Sequence, residues 1–381
     1  MKEGWEYKKL GEVCEIFDFR RKPITKNKRE SGSIPYYGAT GVLDYVKDYI
    51  FDEKLVLLGE DGAKWGAGEN SAYIIEGKSW VNNHAHALRP KRDLLIDELL
   101  VYYLNFSNLL PYITGVTVPK LNQEKMRSIE IPIGPISEQQ SIVDYLDSAF
   151  AKIDAMKVHA EKALNEANAL FQASLKEILE PKEGWEEKKL EIITSKIGSG
   201  ATPKGGRKVY IDEGCNLIRS MNVQYNEFKY DDLAHITDEA ANQLNGVEIQ
   251  ENDVLFNITG ASIARCCVVP ADALPARVNQ HVSILRLKQE VLPRFLSYIM
   301  NSPNHQKRLL EIGETGSTRQ ALTKTDLENH VICYPTIDCQ TKIICALDSL
   351  KSKVDHLQAN YDKISQECDA LKQAILRQVF E

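Results

Sequence analysis

The sequence predicts an α+β protein made of two copies of one unit, in which a mixed α/β domain is followed by a long helix. The first observation is an internal repeat, since residues 2–10 read KEGWEYKKL and residues 182–190 read KEGWEEKKL. The second is a heptad-spaced run of apolar residues that closes each copy. The third is a series of short β-rich runs separated by Gly, Pro, Asn and Asp, which is typical of strands joined by turns.

The repeat extends along the whole sequence. Residues 81–84 (VNNH) recur as residues 278–281 (VNQH), and the separation between Leu121 and Leu322 is kept to the last residue. The offset widens in the middle of the second copy, which places insertions there. We therefore predict domains at 1–138 and 181–339 and helical spacers at 139–180 and 340–381.

Each copy ends in a predicted helix with apolar residues in alternating 4-3 spacing, the pattern of a coiled coil. Small alanines line the middle of the first stripe and larger groups line the second, so the two stripes can interlock. We expect an antiparallel coiled coil within the chain, with pseudo-two-fold symmetry, and a homodimeric coiled coil is the alternative. The predicted seam consists of Ile142, Leu146, Ile153, Met156, Leu170, Ile343, Leu347, Leu350, Val354, Leu357, Tyr361, Ile364 and Leu371.

The two domains show strand-like runs and one helix each. Residues 54–59 and 72–77 in the first copy, and 253–258 and 282–287 in the second, are short and rich in β-branched and aliphatic residues. A helix is predicted before the closing strand of each domain, at 97–106 and 292–301. Each domain is therefore predicted to hold mostly antiparallel sheet.

Composition and charge limit the possible functions. The chain has 381 residues, 43% hydrophobic and 27% charged, which excludes a disordered chain. Its net charge of −7 excludes a general basic coat, so any surface for nucleic acid must be local. No apolar run approaches the roughly 18 residues that span a bilayer, and the start is too charged for a signal peptide. We expect a soluble, cytoplasmic protein that does not bind a membrane.

Catalytic motifs are missing from the sequence. Phosphate-binding loops, zinc-protease, serine-hydrolase, dinucleotide, nuclease and amino-methyltransferase patterns are all lacking, so no catalytic residue and no cofactor of this chain is predicted. The best metal candidate is His84-Ala85-His86, but the second copy has His281-Val282-Ser283 and so lacks the second histidine. We therefore predict no metal site, and a Val-Asn-x-His segment that hydrogen-bonds its own turn.

A polar, basic segment occurs at an equivalent place in both copies. Arg, Lys, Asn and Gln side chains bridge phosphates and read base edges, while aromatic rings can stack on bases. Either segment alone could be a solvated loop, but two at equivalent positions favour DNA binding. The predicted DNA-binding residues are Arg20, Arg21, Lys22, Lys26, Lys28, Arg29, Tyr36 and Tyr37 in the first copy and Lys204, Arg207, Lys208, Arg219, Asn222 and Gln224 in the second.

Over its whole length the chain resembles the specificity subunits of type I restriction-modification systems. Both copies open with Gly-Trp-Glu-x-Lys-Lys-Leu, and Pro135-Ile-Ser-Glu-Gln matches the family's Pro-x-x-Glu-Gln entry to the first helix. In the second copy Cys339 replaces the Glu, which puts a capping role for that position in doubt. Further matching segments are Arg21-Lys-Pro-Ile, 34–41 (IPYYGATG), 57–63 (LLGEDGA), 80–86 (WVNNHAH), 200–206 (GATPKGG), 217–223 (LIRSMNV) and 257–263 (NITGASI).

The resemblance implies that the two domains are target recognition domains and that the spacers are the conserved helices of this family. It implies a non-catalytic subunit that selects an asymmetric, bipartite target in double-stranded DNA. Two methyltransferase subunits would dock on it and bring S-adenosylmethionine for adenine methylation, and the resemblance leaves open whether motor-nuclease subunits join. The alternatives are a scaffold whose domains bind protein or glycan, and a metal enzyme that uses His84 and His86.

Overall fold

The computed structural model describes residues 4–115, 117–314 and 320–381, and the side chains of Arg207 and Lys208 lie outside this description. The chain forms two compact units. Unit 1 comprises Met1–Glu161 and Tyr361–Glu381, and unit 2 comprises Lys162–Asn360. Each unit therefore contains one domain, part of the first long helix and part of the second.

The domain of unit 1 is a run of short strands followed by helices. It holds two sheets, with strand orders β2-β9-β6-β7 and β4-β3-β8-β5; the first is antiparallel and the second contains the parallel pair β3 and β8. Strands β1 and β10 form an antiparallel ribbon. The elements are β1 (Glu6–Lys9), α1 (Leu10–Val13), β2 (Cys14–Ile16), β3 (Ser31–Gly38), β4 (Gly41–Val46), β5 (Phe51–Asp52), β6 (Leu55–Gly59), β7 (Ala72–Ile75), β8 (Lys78–Val81), β9 (Ala85–Pro90), α2 (Asp97–Phe106), α3 (Gln123–Arg127), β10 (Glu130–Ile133) and α4 (Ile136–Ile178).

Strand β6 lies at the centre of unit 1 and is buried along its whole length. Because side chains alternate across a strand, Val56 and Leu58 face one hydrophobic cluster while Leu55 and Leu57 face another. The first cluster includes Leu99 and Leu100 of α2, and the second includes Phe51. The continuous apolar run in the sequence is thus a strand that is covered on both faces.

Unit 2 repeats the first sheet and the ribbon, while its second sheet shares the parallel pair but has a different strand order. Its sheets run β12-β19-β16-β17, antiparallel, and β13-β15-β14-β18, with β14 and β18 parallel, and β11 and β20 form the ribbon. The predicted mixed α/β class and mostly antiparallel sheets are confirmed. The elements are β11 (Glu186–Lys189), α5 (Leu190–Ile193), β12 (Thr194–Ser199), β13 (Tyr210–Ile211), β14 (Cys215–Ile218), β15 (Ala234–Ile236), α6 (Asp238–Gln243), β16 (Val254–Asn257), β17 (Cys266–Val268), β18 (Ala276–Val278), β19 (Val282–Leu287), α7 (Pro293–Met300), α8 (Pro303–Glu314), α9 (Lys324–Asn329), β20 (Val331–Tyr334) and α10 (Ile337–Phe380).

A buried glutamine attaches each long helix to its own domain. In unit 1 the Gln139 side chain accepts from the amide of Ile96 (3.1 Å) and donates to the carbonyls of Leu94 and Gly134 (both 2.8 Å). Gln340 makes the same three kinds of bond in unit 2, with Leu292, Glu290 and Pro335. Both glutamines are fully buried, so these bonds replace those that water would make.

The neighbouring Glu138 bonds to a tryptophan near the start of the chain. Its carboxylate accepts a hydrogen bond from the Trp5 indole at 2.9 Å, which ties the start of the chain to α4. In unit 2 Cys339 stands at this position, and the matching Trp185 packs against Phe295 instead. In the Pro-x-x-Glu-Gln segment, only the glutamine therefore makes the same bonds in both units, and the residue before it differs.

The helices α4 and α10 pair in antiparallel fashion, as the sequence predicts. In unit 1 Lys372 lies 2.6 Å from Asp154, and Lys157 lies 3.3 Å from Asp369, so the numbering of α10 falls as that of α4 rises. In unit 2 Phe171 of α4 shares a hydrophobic cluster with Leu347 of α10. The two helices of one chain are thus each other's partners.

The predicted seam needs a correction. Met156 and Leu170 of α4 are 57% and 63% exposed, and Leu357 and Leu371 of α10 are 36% and 47% exposed. The buried apolar positions of α4 are Val143, Leu146, Ile153, Leu164, Phe171 and Leu175. Eleven residues separate Ile153 from Leu164, one more than the 4-3 spacing gives, so in the second half of the helix the buried face shifts by one residue, from Leu170 to Phe171. Of the other predicted seam residues, Leu146, Ile153 and Leu347 are buried and Ile142, Ile343, Leu350, Val354, Tyr361 and Ile364 are partly buried.

Candidate nucleic-acid interface

The basic segment of unit 1 begins in a short 3-10 turn, Asp18–Arg20, directly after β2. Asp18 anchors this turn through both carboxylate oxygens. One accepts from the ring of His86 at 2.6 Å and from Gln123 at 3.0 Å, and the other accepts from the amide of Ala87 at 3.1 Å. The turn is therefore bonded to β9 and α3, which lie far from it in sequence.

Arg21 belongs to the same buried network. Its guanidinium donates to Glu60 at 2.5 Å and to the carbonyl of Ala85 at 2.7 Å, and it lies 3.2 Å from the carboxylate of Asp18. Only 11% of its side chain is exposed, and Glu60 also pairs with Lys120 at 2.7 Å. Arg21 is thus held inside the protein, which favours a supporting role over direct contact with DNA.

The network lowers the pKa of both carboxyl groups. Burial alone would raise the pKa of Asp18, but the hydrogen bond from His86 and the charges of His86 and Arg21 outweigh it. Burial would likewise raise the pKa of Glu60, and hydrogen bonds from Lys120 and Arg21 lower it below its usual range. Both groups are therefore carboxylates at neutral pH.

Asp18, Glu60 and His86 also meet the geometric requirement for a metal site, since their ligand atoms lie within 4.8 Å of one another. The cations of Arg21 and Lys120 already neutralise the two carboxylates. Both ring nitrogens of His86 face acceptors, because Nε2 lies 2.7 Å from the carbonyl of Leu121. This arrangement is that of a structural ion-pair network.

His84 lies outside this network. It is about half exposed and pairs with Asp61, so the two histidines of the motif do not share a site. Its backbone amide donates to the side chain of Asn82 at 2.8 Å, and in unit 2 the amide of His281 donates to Asn279 at 3.0 Å. The predicted hydrogen-bonded turn of the Val-Asn-x-His segment is confirmed in both units.

The remaining predicted cations of unit 1 fall into two groups. Lys22, Lys26 and Lys28 are exposed to solvent. Arg20 donates to the carbonyl of Ile50 at 2.5 Å and lies 4.5 Å from the centre of the Phe51 ring, and Arg29 pairs with Asp44 at 3.0 Å. The lysines are the more accessible cations of the segment.

The two predicted tyrosines are in different environments because side chains alternate along β3. Tyr36 is 1% exposed, its hydroxyl accepts from the amide of Ile24 at 2.9 Å, and Arg29 stacks on its ring at 4.4 Å. Tyr37 is partly exposed and lies against Tyr73. Tyr36 therefore supports the basic segment from below, and Tyr37 is the more accessible ring.

In unit 2 the segment after β14 is shaped by Asn222, which is fully buried. Its side chain accepts from the amide of Arg219 at 3.0 Å and donates to the carbonyls of Lys229 and Asp231 at 2.9 and 3.1 Å. Gln224 accepts from Arg265 at 2.7 Å. Asn222 thus fixes the loop that presents its neighbours.

The other predicted residues of unit 2 are more open. The Arg219 side chain is partly exposed, and its guanidinium donates to the carbonyl of Asp232. Lys204 is exposed, and the side chains of Arg207 and Lys208 lie outside the described residues. Sequence reasoning missed Tyr225, which is 48% exposed and lies 5.2 Å below the guanidinium of Arg265. Its position next to Gln224 was the available signal.

Among the described residues, no helix is both long enough and apolar enough to cross a membrane.

Comparisons with known proteins agree with this architecture. The model of the type I restriction modification DNA specificity domain matches residues 2–166 and 182–366. The chain is 39% identical over 146 residues to the putative type I restriction enzyme specificity subunit S.HindORF215P of Haemophilus influenzae, a match that covers 38% of this chain and 37% of that protein. It is 25% identical over 296 residues to the type I restriction enzyme EcoBI specificity subunit of Escherichia coli, covering 70% of this chain and 61% of that protein.

Two solved structures share the fold. A chain described under "Structural basis underlying complex assembly and conformational transition of the type I R-M system" matches with a TM-score of 0.76, 18% identity and coverage of 100% of this chain and 98% of that chain. The HsdS subunit from Thermoanaerobacter tengcongensis matches with a TM-score of 0.56, 18% identity and coverage of 100% and 97%. Because the specificity-domain model accounts for both copies of the repeat, the chain belongs to the family of type I restriction-modification specificity subunits.

Proposed function

We propose that this chain selects an asymmetric, bipartite target in double-stranded DNA, with each unit reading one half. As a member of its family the chain is a non-catalytic subunit. The observation that carries the proposal is the combination of a repeated four-stranded sheet and ribbon with two different polar segments at equivalent places. Two domains that share a framework but carry different polar side chains would suit a DNA target whose two halves differ in sequence.

Within each unit the polar segment is fixed by internal bonds while some of its side chains stay accessible. Asp18 and Arg21 in unit 1 and Asn222 in unit 2 are used internally, whereas Lys22, Lys26 and Lys28 are exposed. A fixed backbone sets the position of base-reading groups, and exposed lysines neutralise phosphates. We propose that the paired helices α4 and α10 set the number of unread base pairs between the halves.

The chemistry would come from partners. We propose that two methyltransferase subunits bind this chain and carry S-adenosylmethionine for adenine methylation, with motor-nuclease subunits as a further partner in restriction. The net charge of −7 supports a role for partners. Because the basic surface of this chain is confined, positive surface on the partners would add to the attraction for DNA. No cofactor is assigned to this chain.

The direct test is to map methylated adenines in cells that express the chain with its methyltransferase. A single asymmetric motif in two parts, separated by a constant gap, is the expected result. Arg219→Ala should change the sequence preference of one part and leave the other unchanged, with an exposed control, Lys307→Gln, altering neither. A change in both parts would contradict separate reading, and no methylation motif at all would favour a scaffold that binds protein or glycan.

A second prediction concerns the exposed lysines. Replacing Lys22, Lys26 and Lys28 together by Gln should weaken DNA binding roughly 10- to 100-fold at physiological salt, because each removes one phosphate contact. The slope of a plot of log affinity against log salt concentration should become shallower by about 3. Fluorescence anisotropy over a salt series measures both quantities. The matched control is the triple variant Lys307→Gln, Lys324→Gln and Lys363→Gln, whose lysines are similarly exposed but lie elsewhere; an equal loss in both triples would contradict a localised surface.

A further inference from the structure

Phe19 is the most exposed of the large hydrophobic side chains in the described residues. Its side chain is 80% exposed, although it stands in a domain with a well-formed core. It lies in the 3-10 turn at the start of the basic segment, beside Arg20 and close to the exposed Lys22. The ring is therefore available to contact a partner, and it stands among cations.

The ring is supported from behind by other rings. Phe51 is fully buried, Phe17 packs edge-on against it at 6.4 Å, and Phe19 lies 6.1 Å from Phe17. The guanidinium of Arg89 also lies over the Phe17 ring, 4.4 Å from its centre. Phe19 is thus the outer member of a row of three aromatic rings that begins in the core.

The backbone that carries Phe19 is also held. The amide of Phe17 donates to the carbonyl of Ala87 at 2.8 Å, and the amide of Arg20 donates to the carbonyl of Phe17 at 2.9 Å. Asp18, the residue before Phe19, is fixed by His86, Gln123 and Ala87 as described above. The backbone of the turn is therefore held in place before binding, which reduces the conformational entropy lost when the ring makes a contact.

The charges around the ring indicate what it contacts. Arg20 and Lys22 would attract a polyanion, and base pairs are the apolar surface that lies just behind the phosphates of DNA. We propose that Phe19 inserts at a base-pair step of the half-site read by unit 1, stacks on a base and partly unstacks that step. This inference rests on the DNA-reading function proposed above and adds a specificity-determining residue to it.

Unit 2 has no equivalent of this ring. Strand β12, the counterpart of β2, ends at Ser199 and is followed by Gly200. The distortion should therefore occur in one half of the target only. A flexible step such as TA or CA would be favoured at that place, because it costs least to unstack.

The experiment uses the full-length chain in complex with its methyltransferase subunits, without S-adenosylmethionine. Target duplexes carry 2-aminopurine at one position at a time through the unit 1 half-site. We expect fluorescence to rise at one step with the unmodified chain, to stay low with Phe19→Ala and to rise again with Phe19→Trp. Phe19→Ala should bind roughly 10-fold more weakly, because one stacking contact is lost, with an unchanged salt dependence, because no charge is removed.

Ser199→Ala is the matched control and should leave fluorescence and affinity unchanged. Since Phe19 is exposed, Phe19→Ala should unfold at the same urea concentration as the unmodified chain, which separates a DNA effect from misfolding. The proposal is overturned if the chain binds its target but Phe19→Ala keeps the fluorescence rise, or if no position in the half-site responds. Failure of the unmodified complex to bind DNA would instead overturn the proposed function, and this inference with it.

Discussion

Phe171→Ala should destabilise unit 2 by about 3–5 kcal/mol, the usual cost of removing a buried aromatic side chain. Phe171 is 7% exposed and packs in one hydrophobic cluster with Leu175 of α4 and Leu347 of α10. The same replacement at the adjacent Leu170, which is 63% exposed, should change stability by less than about 0.5 kcal/mol. The contrast between neighbours reports directly which side of α4 faces α10.

Urea unfolding of the full chain, followed by hydrogen exchange of the amides in unit 2, measures this effect. The midpoint for unit 2 should fall in Phe171→Ala and stay in place in Leu170→Ala. Unit 1 provides an internal reference in the same experiment. If Leu170→Ala were the more damaging change, α4 would follow the strict heptad expected from the sequence, and the shift of its buried face from Leu170 to Phe171 would be wrong.

Asp18→Ala should destabilise unit 1 by about 3–5 kcal/mol, because it leaves buried positive groups without their partner. Asp18 accepts hydrogen bonds from His86, Gln123 and the amide of Ala87, and pairs with Arg21. The matched control is Asp44→Ala, which breaks the pair with Arg29 at a more exposed site and should cost much less. Urea midpoints of unit 1 compare the two variants, and equal midpoints would contradict a network that stabilises the domain.

The same network predicts how stability depends on pH. The pKa values of Asp18 and Glu60 are lowered in the folded protein, so the unfolded chain binds protons more readily at these groups. Their contribution is therefore present above the ordinary carboxyl pKa of about 4 and is lost as the pH falls through the lowered values. Urea midpoints of unit 1 should decrease on acidification, and less steeply in Asp18→Ala. A decrease of equal slope in both proteins would remove Asp18 from this explanation.

Much of the fold could be predicted from the sequence because the two copies of the internal repeat can be compared with each other. Two copies with matching ends and divergent middles indicate equal topologies, and β2-β9-β6-β7 and β12-β19-β16-β17 show them. Helix α2 lies where apolar periodicity places it, at Asp97–Phe106. Helices α4 and α10 begin at Ile136 and Ile337, which places the proposed boundaries at 138 and 339 within their first turns.

The details of the candidate interface could not be predicted in the same way. A basic segment does not reveal which of its cations are used internally, and Arg21 meets Glu60 and Ala85 only through long-range folding. Tyr36 and Tyr37 are identical in type, and only the pairing of β3 decides which one is buried. Only the second half of the predicted α4 seam is wrong, because one extra residue between Ile153 and Leu164 shifts the buried positions that follow.

The ribbons at the base of each domain have a mechanical consequence. In unit 1 the first strand, β1, pairs with the last strand, β10, so that Glu6 lies opposite Ile133. In unit 2 the first and last strands, β11 and β20, pair in the same way, and Glu186 lies opposite Tyr334. The first and last strands of each domain are thus hydrogen-bonded to each other, and a buried glutamine holds the first turn of the long helix. Residues inserted between these strands should therefore not shift or rotate the helix that follows. The strands and loops between the two ribbon strands of a domain can therefore change in length and sequence without shifting the start of α4 or α10.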